Sequence, residues 1–197
     1  MKFTRRELLK RLRTAIKPYE DISYAIGGST AMAAHGYSRF TNDIDVFILE
    51  EHLNLFMRAL RAVDLDLFAI SEPSHYAAKL PGDPNPERRI DILVPFGEPE
   101  LSAIEYPVLR WGFKIFAPDL LAMSKFYSFD DSGDPKHAFD LLAMYRHGIF
   151  DPKTVKEMIY SIDPERIDSW DRLLQSFKIS RRQIKLQRSS RRLFYKK

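Results

Sequence analysis

Residues 24–48 read "YAIGGSTAMAAHGYSRFTNDIDVFI". An apolar strand beginning near Ile22 ends at Gly27-Gly28, and Ser29 stands where it can cap a small-residue helix over 30–36 that Gly36 stops. A second strand, "DIDVFIL", follows over 43–49. Side chains two apart on a strand share a face, so Asp43 and Asp45 present their carboxylates together while Ile44 turns to the core. Two anions this close repel, and the pair is tolerable mainly when a cation is shared or one proton is retained. The plain alternative is a strand edge whose two acids are simply solvated.

A third carboxylate weighs against that alternative. In "RRIDILV" Asp91 lies between Ile90 and Ile92 in another apolar strand, where an isolated buried carboxylate is costly to desolvate. If the two strands are neighbours, the three acids converge. With no cysteine in the chain, only oxygen and imidazole donors exist, so Mg²⁺ or Mn²⁺ suits the cluster better than zinc. Gly27 and Gly28 let a phosphate approach the backbone, and Ser29 or Thr30 can donate a hydroxyl. As a motif "GGST" reads equally as a tight turn, and it matches neither the P-loop nor the dinucleotide glycine pattern. Its position beside the acids gives it weight.

Around this stretch, "TRRE" at Thr4–Glu7 has capping-box spacing and opens a helix running to about Pro18. Helical spacing recurs over 52–63. Strands are expected at "LDLFAI" (65–70), "HYAAKL" (75–80) and "RRIDILVPF" (88–96), and a hairpin at "YPVLRWGFKIF" (106–116) turns near Trp111-Gly112. From Pro118 onward the pattern is helical, over 119–127, 134–147, 152–160 and 164–177. The expected organisation is a core domain over 1–116, a helical region over 117–180 and a basic tail over 181–197.

Hydrophobic residues make up 45% and charged residues 29% of the 197, the mix of a folded globular protein. The net charge of +4 is segregated: 1–17 holds seven basic residues and one acidic, and 178–197 holds nine basic and none acidic. The body between them is acidic. The basic end suits a phosphate-rich polymer, a solvated tail or a partner-docking helix. No apolar run approaches the ~18 residues of a membrane span, and the charged start lacks a signal-peptide core, so the chain is expected in the cytoplasm without membrane contact.

Gly28-Ser29, thirteen intervening residues, "DIDV" and the later "IDI" resemble the signature of the DNA polymerase β-like nucleotidyltransferase superfamily. "RFTNDID" with "APDLLAMSKFYSF" and "KHAFDLL" is similar more narrowly to the AbiE-type and MenT-like toxin nucleotidyltransferases. The resemblance implies an α+β (α/β) fold, a mixed-sheet nucleotidyltransferase core with flanking helices and a C-terminal helical region. It implies an enzyme that moves an NMP from an NTP, ATP among them, to an acceptor with Mg²⁺ or Mn²⁺ as cofactor. Asp43 and Asp45 would bind metal, and Asp91 would complete the metal site and help activate the acceptor. Gly27, Gly28, Ser29 and Thr30 would hold the triphosphate, Lys125 would neutralise phosphate charge, and Asp140 would match a late aspartate of the toxin pattern. Those relatives show Lys-Asp-x-x-Asp where this chain reads Lys136-His137-Ala138-Phe139-Asp140.

Several residues carry two readings. Arg39 reaches either a substrate phosphate or a structural carboxylate. Lys125 is a phosphate ligand or a snorkelling lysine, and Asp140 alternatively pairs with Lys125 or Lys136. His35 reads as a helix-end hydrogen-bonding residue, and Trp111 as hairpin packing ahead of a base-stacking platform. The basic tail favours RNA, tRNA especially, as acceptor, with aminoglycosides and protein hydroxyls open. An antitoxin is the partner implied by the narrower likeness, as is a toxin held silent by it or by phosphorylation near Ser29. The alternative class is a non-catalytic module of the same fold that binds nucleic acid or a protein.

Overall fold

Burial alternates along the strand that carries "IDVFI", and this sets the architecture. The computed structural model describes residues 3–178. The first elements are α1 (Arg5–Ile16), β1 (Tyr24–Ile26), α2 (Gly28–Ala34), β2 (Ile44–Ile48) and α3 (Glu50–Arg61). They are followed by β3 (Asp66–Ser71), β4 (His75–Lys79), β5 (Ile90–Leu93), α4 (Glu98–Glu105), β6 (Val108–Arg110) and β7 (Phe113–Ile115). The seven strands form one mixed sheet in the order β3-β4-β5-β2-β1-β7-β6. β2 runs antiparallel to β1 and parallel to β5, with Ile26 opposite Val46 and Asp45 opposite Asp91.

Ile44, Val46 and Ile48 are fully buried on one face of β2, and their register partners Ile90 and Ile92 share it. α3 covers this face, its Phe56 ring lying 6.3 Å from that of Tyr24. α1 packs against α3 through a stripe that includes Leu8 and Leu12, both fully buried. Thr4 caps α1 by accepting from the Glu7 amide at 3.2 Å, while the Glu7 carboxylate pairs with Arg11 at 3.3 Å. The opposite face of β2 holds Asp45 and Phe47, whose ring lies 5.0 Å from that of Phe116 and inclined to it by 47°.

The chain divides into two compact units between Ser124 and Lys125, inside α5 (Pro118–Ser132). The second unit contains α6 (Pro135–His147), α7 (Pro152–Ile162), a 3₁₀ turn (Pro164–Arg166) and a helix over 167–178, α8. Asp134 and Asp151 cap α6 and α7 through their side chains, and Gly148, at φ 64°, ends α6 in the left-handed region that glycine tolerates. Its core centres on fully buried Trp170, whose ring meets Phe126 edge-on at 5.2 Å. Arg166 ties the turn to α5, bonding Asp163 at 2.8 Å, Asp130 at 3.1 Å and Asp131 at 2.6 Å. The basic tail over 181–197 lies outside the described residues.

Three local expectations change. Ser29 does not cap α2. Gly27 holds the cap position without a side-chain bond, and Ser29 lies inside the first turn. α3 begins at Glu50 rather than His52, because Glu50 and Glu51 complement the positive end of the helix. α4 was not anticipated, although Gly97, Pro99 and two glutamates in the first turn are ordinary start signals.

Phe56 is fully buried, so Phe56→Ala is expected to cost about 3–5 kcal/mol through lost burial and a cavity. The check is a lower urea midpoint with an unchanged denaturant slope.

Candidate functional site

The antiparallel return of β2 along β1 brings the glycine turn to the acids. β1 ends where β2 begins, and the Gly27 amide donates to the Asp45 carbonyl at 3.0 Å. Gly28 follows with φ +55°, and a Cβ on it would overlap the Asp45 carboxylate oxygen. Glycine is required here on both counts, by backbone conformation and by space. Ser29 and Thr30 come next, 3% and 1% exposed.

Asp43 and Asp45 share a face of β2, and the parallel register places Asp91 of β5 beside Asp45. One carboxylate oxygen from each of the three lies within 4.8 Å of the others. At 4.8 Å two unit charges repel by about 3–4 kcal/mol at an effective dielectric of about 20. A hard divalent cation relieves that repulsion, and an all-carboxylate donor set is what Mg²⁺ or Mn²⁺ takes. The residues therefore fit the metal. A cavity of about 390 Å³ opens on Asp43 and Asp91, lined also by Phe40, Thr41, Asn42, Glu87 and Arg89.

Asp43 and Asp91 are each held by neighbouring side chains. Thr41 Oγ1 donates to Asp43 Oδ1. His75 Nε2 and Arg89 Nε both donate to Asp91 Oδ1, each at 2.8 Å. Arg5, one residue past the cap of α1, donates to the Asp43 carbonyl at 3.1 Å and to Thr30 Oγ1 at 2.5 Å. Burial holds the Arg5 pKa below its ordinary value, with the nearby negative charges of Asp43 and Asp45 acting in the opposite direction. Ser29 Oγ is buried and has no hydrogen-bond partner among the described residues. A buried hydroxyl without a partner is uncommon in folded proteins, and this one lies two residues from the Asp45-bonded Gly27 amide.

The remaining predicted residues are placed differently. Arg39 is exposed, its Nη1 donating to the Phe40 carbonyl at 3.4 Å, and it is not among the residues lining the carboxylate cavity. Lys125 and Asp140, in the second unit, form a buried ion pair at 3.0 Å between α5 and α6. His137, one turn before Asp140, has its pKa lowered to about 4 by burial and then by the positive charges of Lys125 and Lys136. Its Nδ1 is buried with no partner among the described residues. His35 ends α2 with Nε2 2.8 Å from the Phe116 carbonyl, the helix-end role its position suggested.

Arg5, His75, Arg89, Phe40 and Glu87 escaped the sequence reading. Only Arg89 had a local signal, since it stands two residues before Asp91 and so shares its face.

Gly28→Ala and Gly148→Ala make a controlled pair, because both glycines have positive φ but nothing lies within 4 Å of a Cβ at Gly148. Gly148→Ala is expected to cost about 1 kcal/mol from backbone strain alone, and Gly28→Ala more, with loss of Mn²⁺ binding. Urea melts and Mn²⁺ titration of both variants provide the check. His137 stays neutral in the fold down to about pH 4 but takes a proton near 6.5 when unfolded. The unfolded chain therefore binds more protons in that window, and stability falls as pH drops from 6.5 toward 4. His137→Gln should flatten the change in urea midpoint between pH 7 and 5.

No family model matches the chain, and no curated protein does. Solved structures do. The chain superposes on JHP933 from Helicobacter pylori with a TM-score of 0.57 at 17% identity, covering 97% of each chain. It matches a candidate nucleotidyltransferase from H. pylori with a TM-score of 0.57 at 18% identity, over 84% of this chain and 79% of that one. The complex of ANT(2'')-Ia with adenylyl-2''-tobramycin gives a TM-score of 0.51 at 14% identity, over 88% of this chain and 97% of that one. Among the described residues no helix is long and apolar enough to cross a membrane. The mixed sheet with its flanking and C-terminal helices has the α+β nucleotidyltransferase fold.

Proposed function

We propose that the chain is a metal-dependent nucleotidyltransferase that moves an NMP from an NTP to an acceptor hydroxyl. The observation that carries this reading is the convergence of Asp43, Asp45 and Asp91 within 4.8 Å. The glycine turn beside them, with the open Ser29 hydroxyl, supports it. In the reaction the acceptor oxygen attacks the α-phosphorus, the bond from that phosphorus to the pyrophosphate oxygen breaks with release of pyrophosphate, and the hydroxyl proton passes to the Asp91 carboxylate. Asp43, Asp45 and Asp91 would hold Mg²⁺ or Mn²⁺, which when bound neutralises polyphosphate charge and favours the ionised acceptor.

The chain's own groups align and hold the reactants. The turn at Gly27 and Gly28 lets the backbone lie directly against Asp45, beside which the phosphates would bind, and the Ser29 hydroxyl would donate to one of their oxygens. His75 and Arg89 fix Asp91 through one oxygen, so that the carboxylate keeps its aim toward Asp45. Arg5 fixes Thr30 and the backbone at Asp43 together, which couples the glycine turn to the acids. Little covalent work is asked of the protein, so alignment and charge compensation carry the rate.

RNA is the acceptor this reading favours, on the strength of the basic tail over 181–197. The narrower resemblance extends the proposal to the toxin of a toxin–antitoxin pair, for which growth arrest on expression is the first sign. The deciding assay incubates the protein with labelled NTPs, Mg²⁺ and either RNA or tobramycin, the scaffold adenylylated in the ANT(2'')-Ia complex. Label transfer is expected to fall by about 10²-fold or more in Asp43→Ala/Asp45→Ala and in Asp91→Asn. Equal transfer by wild type and variants would reject the reading.

A further inference from the structure

α1 presents cations in two directions. Arg5 points to the carboxylates, whereas Arg6, about 100° further round the helix, lines a groove of about 930 Å³ between α1 and the β6–β7 hairpin. Glu7, Lys10, Arg13, Trp111 and Phe113 also line it. Its charge is one-sided. Arg6, Lys10 and Arg13 are exposed, and the acid Glu7 is paired with Arg11 at 3.3 Å.

Trp111 sits at the rim of this groove, 52% exposed, in the two-residue loop between Arg110 and Phe113. Its φ is +53° and that of Gly112 is +74°. The first of these positions suits asparagine, aspartate or glycine and is unfavourable for a bulky aromatic residue. Strain of this kind is found where a side chain has work to do. Arg13 supports the loop, donating to the Trp111 carbonyl and lying 5.0 Å over the Phe113 ring. The loop that carries the indole is thus held at the edge of a basic channel, and the indole is half exposed rather than packed into the core.

We propose that this groove binds a single-stranded nucleic acid acceptor, with Arg6, Lys10 and Arg13 meeting its phosphates and Trp111 stacking on a base. The proposal rests on the nucleotidyl-transfer reading and names its acceptor class. Cations aligned with an exposed aromatic ring are the combination that holds a single strand, because every base has a π-face and every linkage a charge. An acidic peptide or anionic membrane would answer the cations and leave the indole without a flat partner. The cations that line the groove run along α1 from Arg6 to Arg13, a rise of about 10 Å that spans more than one nucleotide step of an extended strand.

The chain has two tryptophans, and Trp170 is fully buried, so quenching of the full chain's emission reports on Trp111. Titration with an oligoadenylate of about twelve nucleotides is expected to quench it. Trp111→Asn, which suits the loop conformation, should weaken binding of the labelled oligonucleotide roughly 5- to 100-fold. Arg6→Ala/Lys10→Ala should reduce the slope of log affinity against log salt by about 1–1.5. Unchanged affinity in both variants overturns the proposal, as does equal quenching by polyglutamate or phosphatidylserine vesicles. Asp43→Asn separates the two readings. Quenching in wild type and Asp43→Asn alike, with no label transfer by wild type, upholds the groove and rejects catalysis. Transfer to RNA without quenching rejects the groove and leaves catalysis standing.

Discussion

Mutual repulsion among Asp43, Asp45 and Asp91 is the constraint around which the first unit is built. Three carboxylates inside 4.8 Å of one another are a liability for folding unless the surroundings hold them there. The fold does so with an apolar underside, where Ile44, Val46, Ile90 and Ile92 are fully buried. Pulling any acid away would drag one of these strands out of register. Polar supports then act from the side: Thr41 on Asp43, His75 and Arg89 on Asp91, and Arg5 on the backbone at Asp43. Gly28 occupies space that any other residue would fill with a methyl group driven into Asp45. The glycine turn and the acids are therefore one mechanical object.

How much of this was legible depended on the range of the signal. Alternation along "DIDVFI" specified the strand, the face of both acids and the buried Ile44, because a period of two is written into consecutive residues. Asp91 between two isoleucines gave itself away by its cost. The pairing of β2 with β5 was an inference from that cost, and their parallel register lay beyond local patterns. Arg5 and His75 had no local mark at all. Each reaches its partner across a long loop of chain, 38 residues for Arg5 to Asp43 and 16 for His75 to Asp91, and tertiary packing alone decides which charged residue of a helix meets which strand. Ser29 shows the opposite failure. Its type and position suited a cap, but Gly27 took that place and the hydroxyl was turned inward.

The second unit distributes its charges differently. Lys125 and Asp140 neutralise each other in a buried pair, an arrangement whose desolvation cost offsets much of its Coulombic gain. His137 beside them is kept uncharged by burial and by two lysines. At neutral pH an imidazole in this setting adds no charge to the pair.

The parallel pairing of β2 and β5 has a kinetic corollary. Asp45 and Asp91 are 46 positions apart, with α3, β3 and β4 between them, so their pairing is a non-local contact whose loop-closure entropy must be met on folding. The complete cluster exists only in the folded chain, so a cation that needs all three acids would bind the native state in preference to the unfolded one. Occupancy then acts as a thermodynamic ratchet: each tenfold excess of ion over its dissociation constant deepens the native well by about 1.4 kcal/mol. Melting temperature becomes a meter of site integrity that needs no substrate.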